Sequence, residues 1–257
     1  MARRDDGPLT RLLNRGTLAR WARAARRAPR AELSALHRQR QVAGRLVHHL
    51  GEVIAVADSR LALPRIGSAA FARPPGTDWS WRPAIWRSPL PVRGAVGIEG
   101  RMPLGDEVAL HHDCPLRELT LRQVRNQRET DLAPFGLRLD VFRFDGSYLS
   151  LVVELPETAA EGLRKRHLIR LDTLVETERP LEIFARLNVK HGPNVEQIVR
   201  ELPRGQDQVH VEFDLAYTRL DERRAERMWL DLIFEGPEMN QVTLRDLTFA
   251  RLPRADI

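Results

Sequence analysis

Apolar positions recur along this chain with two different periods, and the change of period divides it. Leu9, Leu12, Leu13, Trp21 and Ala24 fall at helical spacing from Pro8 to about Ala28, with Gly16 as a weak point. Pro29 interrupts. In the longer pattern that follows, Leu36, Ala43, Val47, Leu50, Ile54, Ala57 and Leu61 mark one stripe. The spacing predicts a helix from Arg30 to Leu63, roughly 45–50 Å long, stopped by Pro64. Such a stripe is expected to pack on the rest of the protein or to pair with the first helix as a hairpin. A coiled-coil dimer would have too few heptads to be favoured.

From Glu107 onward the period is two. Val108 and Leu110 begin one strand, Leu119 and Leu121 another, and Leu137, Leu139 and Val141 a third. Asp145-Gly146 stands between two apolar runs, a strong hairpin signal, with a return strand from Tyr148 to Leu155. A helical or loop segment at Glu157–Arg166 precedes strands at His167–Val175 and Leu181–Lys190. Further alternation runs Val209–Tyr217 and Met228–Phe234. The last strand carries Val242 and Leu244, then Leu247 and Phe249, and the phase break near Asp246 predicts a bulge. About eight strands joined by turns, without βαβ crossovers, predict a mainly β fold: an antiparallel, jelly-roll-like β-sandwich behind an N-terminal α-helical segment.

Between the two patterns the periodicity stops. Residues 64–104 are rich in Pro and Gly, and Pro74–Trp86 holds three of the five tryptophans. Trp79 and Trp81 project from one side of an extended chain. They can plug an irregular segment onto a core or offer a stacking platform. The expected organisation is therefore a basic helical segment at 1–63, an ordered Trp/Pro-rich connector packed on the core at 64–104, and a sandwich domain at 105–257.

Charge sharpens that division. The chain carries +6 overall, yet residues 1–50 hold twelve arginines against Asp5, Asp6 and Glu32, which leaves −3 for the remainder. Arg11, Arg15, Arg20, Arg23, Arg26 and Arg27 on the first helix are thus candidate contacts for an anionic membrane surface or another polyanion. The single cysteine, Cys114, rules out an intrachain disulfide and fits a reducing compartment. No run of 18 or more apolar residues and no secretory leader is recognisable, so the expected location is the cytoplasm, at the inner membrane if the basic arm binds it.

The strand Leu181–Lys190 alternates cleanly. Leu181, Ile183, Ala185, Leu187 and Val189 fall on one face, and Glu182, Phe184, Arg186, Asn188 and Lys190 on the other. It breaks at His191-Gly192-Pro193-Asn194. Asn188, Lys190, His191, Asn194 and Gln197 are therefore the candidate ligand-binding residues, with Trp79 and Trp81 as a candidate platform beside them. The alternative is a turn whose polar groups satisfy its own backbone.

Little catalytic chemistry is legible. His111-His112-Asp113-Cys114 is the densest run of metal-ligand types, but strand alternation sends two to each face, too few for a site. There is no nucleophile elbow, Walker loop, dinucleotide fingerprint or zincin helix. Glu154, Glu182 and Glu212 occupy outward strand positions. No catalytic residue, metal site or cofactor is expected, and an enzyme is disfavoured.

The phrases GTDW (76–79), DLAPFGLR (131–138), FDGSYLSL (144–151), EIFARLNVKHGPNVEQ (182–197), EFDLAYT (212–218) and DLIFEGPEMN (231–240) resemble a family of uncharacterised alphaproteobacterial proteins, a domain of unknown function. The resemblance covers most of the chain from Gly76. It implies a bacterial source and brings no activity or site residues. The strand order is similar to galactose-binding-like sandwiches. The expected function is a non-catalytic binding or assembly module for a glycan or protein partner. The alternative is a peripheral membrane or polyanion-binding adaptor. The sequence leaves the oligomeric state open.

Overall fold

A computed structural model describes residues 8–66 and 71–254 of the chain. It divides into two compact units, Met1–Val53 and Ile54–Ile257. Helix α1 spans Pro8–Arg27, a 3-10 turn covers Ala28–Arg30, and α2 runs Leu33–Ile66. Pro29 breaks the helical path as its fixed φ and missing donor require. Pro64 does not: α2 continues past it to Ile66. No described helix is long and apolar enough to cross a membrane.

The second unit is an antiparallel two-sheet sandwich. Its elements are β1 (Trp79–Trp81), α3 (Ala84–Arg87), β2 (Gly94–Val96), β3 (Arg101–Leu104), β4 (Val108–His112), β5 (Leu119–Arg125), β6 (Phe135–Val141) and β7 (Leu149–Glu154). They continue with β8 (His167–Thr177), β9 (Glu182–His191), β10 (Asn194–Glu201), β11 (Gln208–Asp214), β12 (Ala225–Glu235) and β13 (Asn240–Pro253). One sheet runs β11-β8-β13-β6-β5-β2, with β1 added along the C-terminal half of β13; the other runs β10-β9-β12-β7-β4-β3. Among the described residues, thirteen strands replace the eight or so that the pattern predicted. The extra ones are short β1, β2 and β3, inside the stretch read as a connector, and β10, whose side chains are largely exposed on both faces. An edge strand with little to bury on either side carries no alternation to read.

Between the sheets lie the inward rows that the period predicted. They include Leu137 and Leu139 of β6, Leu149, Leu151 and Val153 of β7, Ile169 and Leu171 of β8, Ile183, Ala185 and Leu187 of β9, and Leu230 and Leu232 of β12. The bulge near Asp246 is present: the β13–β8 register shifts between Leu244 and Asp246. The strand read as reaching Tyr217 ends at Asp214, whose carboxylate accepts from Ala216 N and caps a 3-10 turn. Asp145-Gly146 does not close a hairpin. β6 and β7 belong to different sheets, so the segment between them crosses the sandwich, and Gly146 lacks the positive φ of a type I′ turn.

Candidate functional site

The outward rows of the six-stranded sheet carry a hydrogen-bonded polar constellation beside a tryptophan. In register, Asn188 of β9 faces Gln197 of β10 on one side and Trp229 of β12 on the other. Arg186 faces Asp231, and Trp229 faces Glu154 of β7. Side chains in one such row stand roughly 5 Å apart and can bond directly. Gln197 Nε2 donates to Asn188 Oδ1 at 2.9 Å, and Asn188 Nδ2 donates to Asp231 Oδ2 at 2.9 Å. Arg186 Nε donates to the same Oδ2 at 2.8 Å. Asn188 is 1% exposed and Asp231 5%, so this chain of bonds runs from the exposed Gln197 into the floor of the face. Among the described residues Asp231 Oδ1 accepts no hydrogen bond.

Trp229 lies half-buried beside that row. The Arg227 guanidinium sits 5.2 Å from its ring centroid and is itself held by Glu154, with Nε donating to Oε2 at 2.9 Å. Lys190 pairs with Glu226 at 3.1 Å, and Phe184 and Ile233 continue the half-buried apolar surface. Further across the same face His111 lies opposite Arg101 and Ser150. Burial holds its pKa below the usual histidine value, helped by Arg101 and opposed by Asp231. It therefore presents a neutral imidazole near neutral pH.

The structure gathers some of the sequence-predicted residues and disperses others. Asn188, Lys190 and Gln197 share the open face. His191 points inward: Nδ1 accepts from Asp221 N at 3.2 Å, while Nε2 is buried without a hydrogen bond, 3.8 Å from Glu196 Oε1. Asn194 stands opposite His191 across the hairpin and is exposed. The loop is a two-residue turn, with Gly192 at φ +56° and the Arg224 guanidinium where a Cβ would lie. Trp79 and Trp81 belong to the other sheet. Trp81 stacks on Phe249 with centroids 5.8 Å apart, and Trp79 Nε1 donates to Thr158 Oγ1, so both seal the core beside β13. On α1, Arg15, Arg20, Arg23, Arg26 and Arg27 are exposed; the Arg11 side chain lies outside the described residues.

A model of a family of unknown function, DUF6478, matches residues 1–257. The chain belongs to the DUF6478 family. No curated protein sequence matches it. Among solved structures it is similar to the family 11 carbohydrate-binding module from Clostridium thermocellum in complex with a β-1,3-1,4-mixed-linked tetrasaccharide, at 10% identity and TM-score 0.39, over 62% of this chain and 97% of that one. It is also similar to the enzymatically active domain of bacteriophage CBA120 tailspike protein 4, at 8% identity and TM-score 0.41, over 56% of this chain and only 19% of that one. A third is TmCBM61 in complex with β-1,4-galactotriose, at 13% identity and TM-score 0.33, over 56% and 88%. These are likenesses of sandwich architecture.

In this DUF6478 chain the run His112–Cys114 is a brace, while His111 faces outward. His112 turns inward, its Nε2 3.1 Å from Ile98 O and its Nδ1 accepting from Cys114 N. Asp113 accepts from Ser147 N at 2.7 Å, Ser147 Oγ at 2.6 Å and Tyr148 N at 3.2 Å, fixing the segment that crosses between the sheets. Cys114 is buried, with Sγ 3.1 Å from Asp145 Oδ1. Among the described residues no three metal-ligand side chains converge. Glu154, Glu182 and Glu212 pair with Arg227, Arg204 and Arg170 respectively.

Sequence reasoning missed Trp229, Asp231, Arg186 and Arg227 as site residues, and set Glu154 aside as one of three outward carboxylates. The signal was present. Alternation of Met228, Leu230, Leu232 and Phe234 puts Trp229, Asp231 and Ile233 outward, and a tryptophan at an outward strand position requires a reason.

Proposed function

We propose that this protein is a non-catalytic binding module that takes a glycan on the open face of its six-stranded sheet. The observation carrying the reading is Asp231: a carboxylate 5% exposed, anchored through Oδ2 by Arg186 and Asn188, with Oδ1 unengaged next to the half-buried Trp229. Sugars present apolar C–H faces and rings of hydroxyls. An indole supplies a flat partner for the former, and a fixed carboxylate and a primary amide supply acceptors and donors for the latter. Gln197, exposed at the end of the bonded row, adds an amide oriented by Asn188. Because Arg186 and Asn188 hold Asp231 before any ligand arrives, little ordering cost falls on binding. The same pairing suits the carboxylates to accepting hydrogen bonds from hydroxyls. Asp231 is engaged by Arg186 and Glu154 by Arg227, so neither stands as a free acid and base flanking a glycosidic bond.

A glycan array followed by titration calorimetry tests this. Trp229→Ala is expected to weaken binding about tenfold or more and Gln197→Ala about threefold to tenfold, with unchanged melting curves for Gln197→Ala. The reading fails if no glycan is retained, or if both variants bind as the parent does.

A further inference from the structure

The helical unit carries a surface that the glycan reading does not use. Val42, Leu46, Val47, Leu50 and Val53 of α2 are all exposed, Val47 at 69% and Val53 at 65%. At about 100° per residue they occupy one sector of about 140° on the helix. Arg38 and Arg45 border that sector on one side and Arg40 on the other, and all three are exposed. This is the layout of a helix lying in a membrane interface, where apolar side chains enter the acyl boundary and flanking arginines extend to the headgroups.

We propose that α2 docks its Val42–Val53 face on an anionic lipid surface, with α1 adding long-range attraction. The choice of occupant rests on charge. From Pro8 to Arg30 there are seven arginines and no carboxylate, and between Leu33 and Val53 the only acid is Glu52. A second copy of the chain would bring arginine edges against arginine edges, where a helical dimer needs opposite charges across its seam. A nucleic acid would satisfy the arginines through its phosphates and leave the apolar face uncovered. Anionic lipid answers both features at once. The helix is too polar to span a bilayer, so it is placed on the surface.

Cosedimentation of the full-length protein with vesicles of phosphatidylcholine, with and without phosphatidylglycerol, tests the proposal. Binding is expected only with phosphatidylglycerol, to weaken as salt rises, and to fall about tenfold or more in Val47→Asp/Leu50→Asp. Arg38→Gln/Arg45→Gln should weaken it severalfold and flatten its salt dependence. Circular dichroism and melting of each variant check that the fold is kept. Equal binding by the Val47→Asp/Leu50→Asp protein would overturn the apolar docking, as would absence of vesicle binding. Sedimentation showing a dimer that this variant dissolves, without lipid binding, would assign the face to a second copy instead.

Discussion

Arg82 has its side chain 1% exposed and reaches Asp246 through two parallel bonds, Nε to Oδ1 at 2.9 Å and Nη2 to Oδ2 at 2.7 Å. Phe71 lies 5.0 Å from its guanidinium carbon. Asp246 occupies the bulge that the phase break in β13 foretold, but nothing in the sequence linked it to an arginine 164 positions earlier. Removing one partner of a buried pair strands the other charge. Arg82→Ala is therefore expected to lose about 3–5 kcal/mol in urea unfolding, with Asp246→Ala added to it recovering part of the loss. Asn188 follows the same logic at the candidate site. Alternation assigned it to the outward face, and so it is, yet it is 1% exposed because Trp229, Asp231 and Gln197 crowd around it. Which face a residue takes is local; how deeply it is buried there depends on strands brought alongside from elsewhere in the chain.

At the scale of elements, the β9–β10 hairpin and the crossing between β6 and β7 illustrate opposite outcomes. His191-Gly192-Pro193-Asn194 reads as a turn and is one, because Gly192 supplies a positive φ at the first central position of a two-residue loop. Asp145-Gly146 reads as the same kind of turn and is not. Its glycine is required for close approach: a Cβ on Gly146 would come within 2.5 Å of Asp113 Oδ1 and 2.8 Å of Cys114 N. Dipeptide chemistry names a bend; whether the strands around it pair or part depends on which sheet each enters. Asp113 accepts from both Ser147 and Tyr148, and the hydrogen bond from the Ser147 hydroxyl is the leading cause that lowers its pKa. Asp113→Ala should speed amide exchange at Ser147 and Tyr148 while β7 amides keep their protection. Unchanged exchange at both would show that the carboxylate does not hold the crossing segment.

For the whole molecule, pH acts through histidines folded into the sandwich. His112 and His167 are 2% and 4% exposed, and burial is the first cause lowering both pKa values; Arg251, Arg166 and Arg164 add to it at His167, against Asp78. The unfolded chain takes up these protons near pH 6.5 and the folded one only below that. Stability is therefore full above about pH 6.5 and falls as pH drops from there toward the folded values. The urea midpoint should be lower at about pH 5.5 than at about pH 7.5, and His167→Gln should reduce the difference. Equal midpoints would mean that these imidazoles are not held neutral.

By itself the sequence determined the two long helical segments, the longer core strands, the inward rows of the sandwich, the bulge in β13 and the concentration of positive charge in the first 50 residues. Each of these is a local pattern, written in a period of two or between three and four, in a proline or in a run of arginines. Only the tertiary structure decided which strands share a sheet, and that Trp79 and Trp81 seal the sheet opposite Asn188. The same holds for the meeting of Asn188, Gln197, Trp229 and Asp231 on one face. Those relations join residues far apart in the chain, Trp81 beside Phe249 and Asn188 beside Asp231 among them, through inter-strand register, and register is set by the packing of the two sheets against each other.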